Sequence, residues 1–147
     1  MRLLSFITSI LLSLITIGQT EDPNTLIEQS ISIIGSEISE LKDFHSNHVF
    51  VDSMKAGKGV IRKYKYTNHI ELFTLEENER IASITYWLYE EKTVQAFAEH
   101  LELNYQIIKK EALGFYFISE DKNYIITLFR SLTTGIYKLG IKPNFSD

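Results

Sequence analysis

The stretch GVIRKYKYTNHIELFTLEENERIASITYWLY, residues 59–89, decides the fold. Apolar and polar residues alternate along it with a period near two, and β-branched and aromatic side chains dominate, so it reads as strands. Turn chemistry cuts it at Thr67-Asn68-His69 and at Glu76-Glu77-Asn78-Glu79-Arg80. The runs left at 59–66, 70–75 and 81–89 are joined by short loops, which makes them antiparallel neighbours. A three-residue loop at 67–69 sets Tyr66 against Ile70, Tyr64 against Leu72, Lys65 against Glu71 and Ile61 against Leu75. A five-residue loop at 76–80 sets Leu75 against Ile81, Leu72 against Ile84 and Ile70 against Tyr86. One face then collects Tyr64, Tyr66, Ile70, Leu72, Ile84, Tyr86 and Leu88 and is expected to be the core face, because a slip of one residue would turn all of them to water.

The same register puts Lys63, Lys65, Glu71, Phe73, Ser83, Thr85, Trp87 and Tyr89 on the opposite face. Flat rings beside charged groups suit binding of a protein, a peptide or a glycan, since a rigid ring adds contact area at little cost in conformational entropy. The candidate binding residues are therefore Trp87, Tyr89, Lys63, Lys65, Glu71, Phe73 and Thr85. The same pattern also fits a solvent-facing sheet with ordinary cross-strand pairs, or a face capped by a helix.

Outward from this stretch, a further β-rich run at 48–53 precedes the turn Lys55-Ala56-Gly57-Lys58. Ahead of it, Asp22-Pro23 offers an N-cap followed by proline at the first helical position. Ile27, Ile31, Ile34, Ile38 and Leu41 then recur at helical spacing, with Leu26 and Phe44 flanking them, which predicts an amphipathic helix of about 20 residues lying on the sheet. Beyond residue 89, Thr93 is a candidate N-cap for a second helix with Val94, Phe97, Ala98 and Leu101 on one side, ending near Asn104. Strands return at 105–111, 114–119, 124–130 and 136–141, and pairing between sequence neighbours is expected throughout. Residues 117–125 loosely echo 73–81, which suggests similar hairpins. The expected class is α+β, two helices packed on antiparallel sheet in the order α-β4-α-β4.

The first eighteen residues differ from the rest. Arg2 precedes an uncharged run from Leu3 to Ile17, and Thr16 and Gly18 place small residues at the −3 and −1 positions of a cleavage site, the pattern of a secretory signal peptide. Fifteen helical residues reach only about 22 Å, short of a hydrocarbon core of about 30 Å, so a membrane anchor is disfavoured. Residues 19–147 are then a single exported domain, periplasmic or secreted, with no membrane attachment after cleavage. With no cysteine in the chain, its stability must come from the core alone.

Lys and Arg number 15 against 19 Asp and Glu, a net charge of −4, which argues against nucleic acid as a partner. The basic run Lys55, Lys58, Arg62, Lys63, Lys65 is expected to be neutralised by the acids that follow it across the hairpin. No metalloprotease helix, nucleophile elbow or dinucleotide fingerprint is present, and Gly57-Lys58-Gly59 is a turn and not a phosphate loop. No cofactor is implied, and enzymatic activity is disfavoured. His45, His48, Asp52 and His69 offer a weak metal set, with His45 in a helix tail and His48 opening a strand; lone His100 is expected to be solvated. Asn144-Phe145-Ser146 is an N-glycosylation sequon, meaningful only in a eukaryotic host. The expected function is an exported, non-catalytic binding or interaction module acting through the aromatic and charged face. The alternatives are a small histidine/carboxylate metal-binding enzyme and a self-associating structural protein, since the closing strands carry apolar residues on both faces and a homodimer would cover them.

Overall fold

The computed structural model describes residues 22–40 and 48–145. Helix α1 (Pro23–Ile33) is followed by a single 3-10 turn (Ile38–Glu40), then β1 (Val49–Ala56), β2 (Gly59–Lys65), β3 (Ile70–Glu77) and β4 (Arg80–Leu88). Helix α2 (Glu91–Asn104) precedes β5 (Gln106–Glu111), β6 (Gly114–Ile118), β7 (Tyr124–Arg130) and β8 (Tyr137–Pro143). All eight strands form one antiparallel sheet in the order β1-β2-β3-β4-β8-β7-β6-β5. The fold is thus mixed α+β with sheet predominating. Pairing between sequence neighbours holds within each half, but β4 pairs with β8, so the last strand of each half meets at the centre and β1 and β5 become the edges.

Helix α1 starts where the sequence placed it: the Asp22 carboxylate accepts hydrogen bonds from the Thr25 amide and hydroxyl, and Pro23 occupies the first turn. It ends earlier than the isoleucine stripe suggests. The chain leaves the helix at Ile34 because Gly35 adopts φ +87°, from which its amide donates to the Ile81 carbonyl while the Ile81 amide donates back to Ser36. The expected helix of about 20 residues is therefore 11 residues long, and Ile34 and Ile38 pack on the core from an extended segment and a 3-10 turn. Leu41 and Phe44 lie outside the described residues, as do the signal segment and His45. The N-cap position of helix α2 is Glu90 and not Thr93, and its side chain makes no capping bond to the backbone; Thr93 sits in the first turn, buried, with its hydroxyl donating to the Glu90 carboxylate.

The register of β2 on β3 is as the sequence argued, with Tyr64 opposite Leu72, Lys65 opposite Glu71 and Ile61 opposite Leu75. The β3–β4 register differs by two residues. Ile70 faces Leu88 and Leu72 faces Tyr86, because the turn is the two residues Asn78 and Glu79 and a bulge lies between Leu75 and Glu76. Both turn residues take positive φ, 51° and 64°, as a type I′ hairpin requires, without the glycine that would have signalled it. A shift of two preserves side-chain parity, so the same residues form the core face.

Both helices pack on that face. Leu26 and Ile27 from α1 and Val94, Phe97 and Leu101 from α2 join Tyr64, Leu72, Ile84, Tyr86, Phe117, Ile126, Leu139 and Ile141 in one buried cluster, with Tyr66 at its margin. The Ser30 and Tyr86 hydroxyls are hydrogen-bonded at 2.8 Å and tie α1 to the middle of the sheet. At the edge of the same face, Arg62 meets the buried Glu76 at 2.9 Å. His100 is half-buried and not freely solvated, its ring edge-on to Tyr105 and its Nε2 shielded from water. Residues 73–81 and 117–125 both span antiparallel hairpins, β3–β4 and β6–β7, but the connections differ, two residues in the first and five in the second.

Candidate binding face

Side-chain alternation carries every second residue of each strand away from the helices. Across the sheet, register places Lys63, Phe73, Thr85, Gly140, Thr127, Tyr116 and Lys109 in one row on the face that no described helix covers, called the uncovered face below. Lys65, Glu71, Trp87, Lys138 and Phe129 form the next row. The seven candidate residues are therefore brought together, Tyr89 included. Although it lies just past the end of β4, its hydroxyl makes a short hydrogen bond to Glu71, the phenol donating to the carboxylate.

Phe73 and Trp87 form the centre, their ring centroids 4.6 Å apart and inclined by 35°. The Lys138 ammonium lies 4.6 Å from the Trp87 ring centroid, a cation–π distance, and Lys63 stands 5.7 Å from the Phe73 centroid. Lys63 also pairs with Glu71 at 2.8 Å. Of the basic run, Arg62 and Lys63 meet acids of β3, Glu76 and Glu71, and Glu71 takes the diagonal Lys63 and not the directly opposite Lys65. Burial would raise the Glu71 carboxyl, but the hydrogen bonds from Lys63 and Tyr89 and the Lys63 charge outweigh it and hold the group below its ordinary value. Burial, followed by the bond to Glu71 and its charge, raises the Tyr89 phenol well above its usual range.

Over these rings lies a groove of about 460 Å³ bounded by Asp52, Ser53 and Met54 on β1, Ile61 and Lys63 on β2, Phe73, Thr85, Trp87, and Lys138 on β8. A second depression of about 360 Å³ shares Thr85 and continues over Gly140 and Thr127 to Tyr116 and Phe129, whose rings lie edge-on at 5.0 Å. A Cβ at Gly140 would come within 2.7 Å of the Thr127 hydroxyl, so a larger residue there would force Thr127 to shift.

Sequence reasoning missed Asp52, Met54 and Lys138. The alternation Tyr137-Lys-Leu-Gly-Ile-Lys142 already separates Lys138 from Leu139 by face, but nothing local says that β8 lies beside β4. Among the described residues no group of three His, Cys, Asp or Glu side chains is placed to hold a metal ion, and no helix is long and apolar enough to cross a membrane. Of the histidines and carboxylate in the weak metal set, His48 stacks on Tyr66 at 4.8 Å, Asp52 borders the groove, and His69 lies in the β2–β3 turn with its amide bonded to the Thr67 hydroxyl. No protein-family model matches the chain, and neither the curated proteins nor the solved structures contain a match to it.

Proposed function

We propose that this chain is a non-catalytic binding module, exported from the cytosol, that takes its ligand or partner on the uncovered sheet face. The observation that carries this reading is the juxtaposition of a half-buried aromatic pair, Phe73 and Trp87, with two ammonium groups around an apolar groove. Tryptophan is the residue type most enriched at binding hot spots, and this face holds the only one in the chain. The export half of the reading rests on Arg2, the run from Leu3 to Ile17 and the small residues at 16 and 18.

A photo-cross-linking residue placed at Thr85 in the protein's own cells should give a discrete adduct that Trp87→Ala abolishes, whereas the same probe at Glu99, on the exposed side of α2, should not. Tyr86→Ala, truncating a buried ring, should cost about 3–5 kcal/mol in denaturant unfolding, and Trp87→Ala clearly less. Equal adducts from both probe positions, or a Trp87→Ala variant as destabilised as Tyr86→Ala, would remove the reading.

One observation favours self-association as a second reading. Strand β1 exposes Val49, Phe50, Val51 and Met54 (68%, 52%, 52% and 62% accessible) on a sheet edge that no described residue pairs. Such an edge is a template for a further strand.

A further inference from the structure

Resting on the reading of the uncovered face as a binding surface, we propose that the groove above Phe73 and Trp87 takes a small amphiphilic carboxylate, its apolar body on the rings and its anionic head at the Lys138 ammonium. The groove crosses from Met54 on β1 to Lys138 on β8, four inter-strand steps or about 19 Å, and its walls and floor are predominantly apolar. Its volume of about 460 Å³ lies in the range of small-molecule clefts and is small for a peptide crossing the whole sheet. Hydrogen-bonding groups in the lining are few beyond the charged ones, which disfavours a glycan with its many hydroxyls.

Charge decides the polarity of the ligand and its direction. At the β1–β3 end, Lys63 is bonded to Glu71 and stands directly opposite Asp52, so positive charge there is already matched. At the other end, no described carboxylate forms an ion pair with Lys138, which rests instead on the face of Trp87. An ammonium beside an apolar wall is a seat for an anion at the end of an apolar chain, because the anion gains a charge-assisted hydrogen bond while its tail leaves water. The uncovered face holds Lys63, Lys65, Lys109, Lys138 and Lys142 against Asp52, Glu71, Glu77 and Glu111, close to balance, so it is the position of Lys138 and not a net field that marks the anionic end of the groove.

The single tryptophan makes the site its own reporter. Titration of the full chain with decanoate, below its micellar range, should change Trp87 emission saturably with one decanoate per chain. Lys138→Gln should weaken decanoate at least ten-fold without lowering Tm. Lys142→Gln, on the same strand and face but about 14 Å away, should change it less than two-fold. Decanol should bind at least ten-fold more weakly than decanoate, and hexaglutamate should not compete. Absence of saturation, equal binding of decanol, competition by hexaglutamate, or equal losses in the two lysine variants would each overturn the assignment. If decanoate fails while the Thr85 adduct still depends on Trp87, the ligand class falls and the binding face stands; if the adduct fails too, both fall.

Discussion

Glu71 is held by two donors at once, the Lys63 ammonium and the Tyr89 hydroxyl, and the arrangement orders one margin of the aromatic face. Its carboxyl titrates below the ordinary 4.5 despite burial, so the folded state favours the ionised form. The stabilisation is complete above the ordinary value and disappears as the pH falls through the depressed folded value. Glu71→Gln should therefore be less stable than the parent at neutral pH, by about 1 kcal/mol or less for a partly exposed pair, with the gap closing as the pH falls through the depressed folded value. Urea unfolding of both proteins across that range measures it, and a gap that persists in acid would show that Glu71 acts through packing and not charge.

The β3–β4 turn is the element the sequence misjudged most. Asn78 tolerates the left-handed region; Glu79 does so under strain of about 1–2 kcal/mol. It is kept there by its surroundings: the Glu79 carbonyl accepts from the Ile38 amide, and the adjacent Arg80 reaches the Gly35 carbonyl and Glu37 at 2.9 Å each. This contact between the hairpin and the segment after α1 also explains why the helix stops at Ile33. Glu79→Gly should raise Tm by a few degrees, since relief of the left-handed strain exceeds the extra entropy of glycine in the unfolded chain. A lower Tm in a thermal melt would mean that the Glu79 side chain contributes something that the backbone geometry does not reveal.

Stability should be graded across the sheet. Strands β4 and β8 are paired on both sides and lie under the two helices, whereas β1 is an edge whose side chains are exposed along seven of its eight positions. Amide exchange in native conditions should accordingly be slowest in β4 and β8, intermediate in β2 and β6, and fastest in β1. Faster exchange in β4 than in β1 would contradict the pairing order. The groove straddles this gradient, its Trp87 wall on the rigid centre and its Met54 wall on the weakest strand, so any ligand that spans it should slow exchange in β1 most.

Local patterning was enough to show a mixed α+β chain built on antiparallel sheet and to divide β2, β3 and β4 into a core face and an aromatic face, because alternation and turn residues act over a few neighbours. The seven candidate residues share a face for that reason, and the face survived a two-residue register error because side-chain parity has a period of two. Three things were settled only by contacts distant in sequence. Helix α1 ends at Ile33 because Gly35 pairs with Ile81, which no periodicity within the isoleucine stripe announces. The union of β4 with β8 gives one continuous sheet, since two half-sheets bury their unpaired edges by joining. That same union carries Lys138 onto the Trp87 ring, 51 residues away in the chain, and so turns an aromatic strand face into a groove with a charged end.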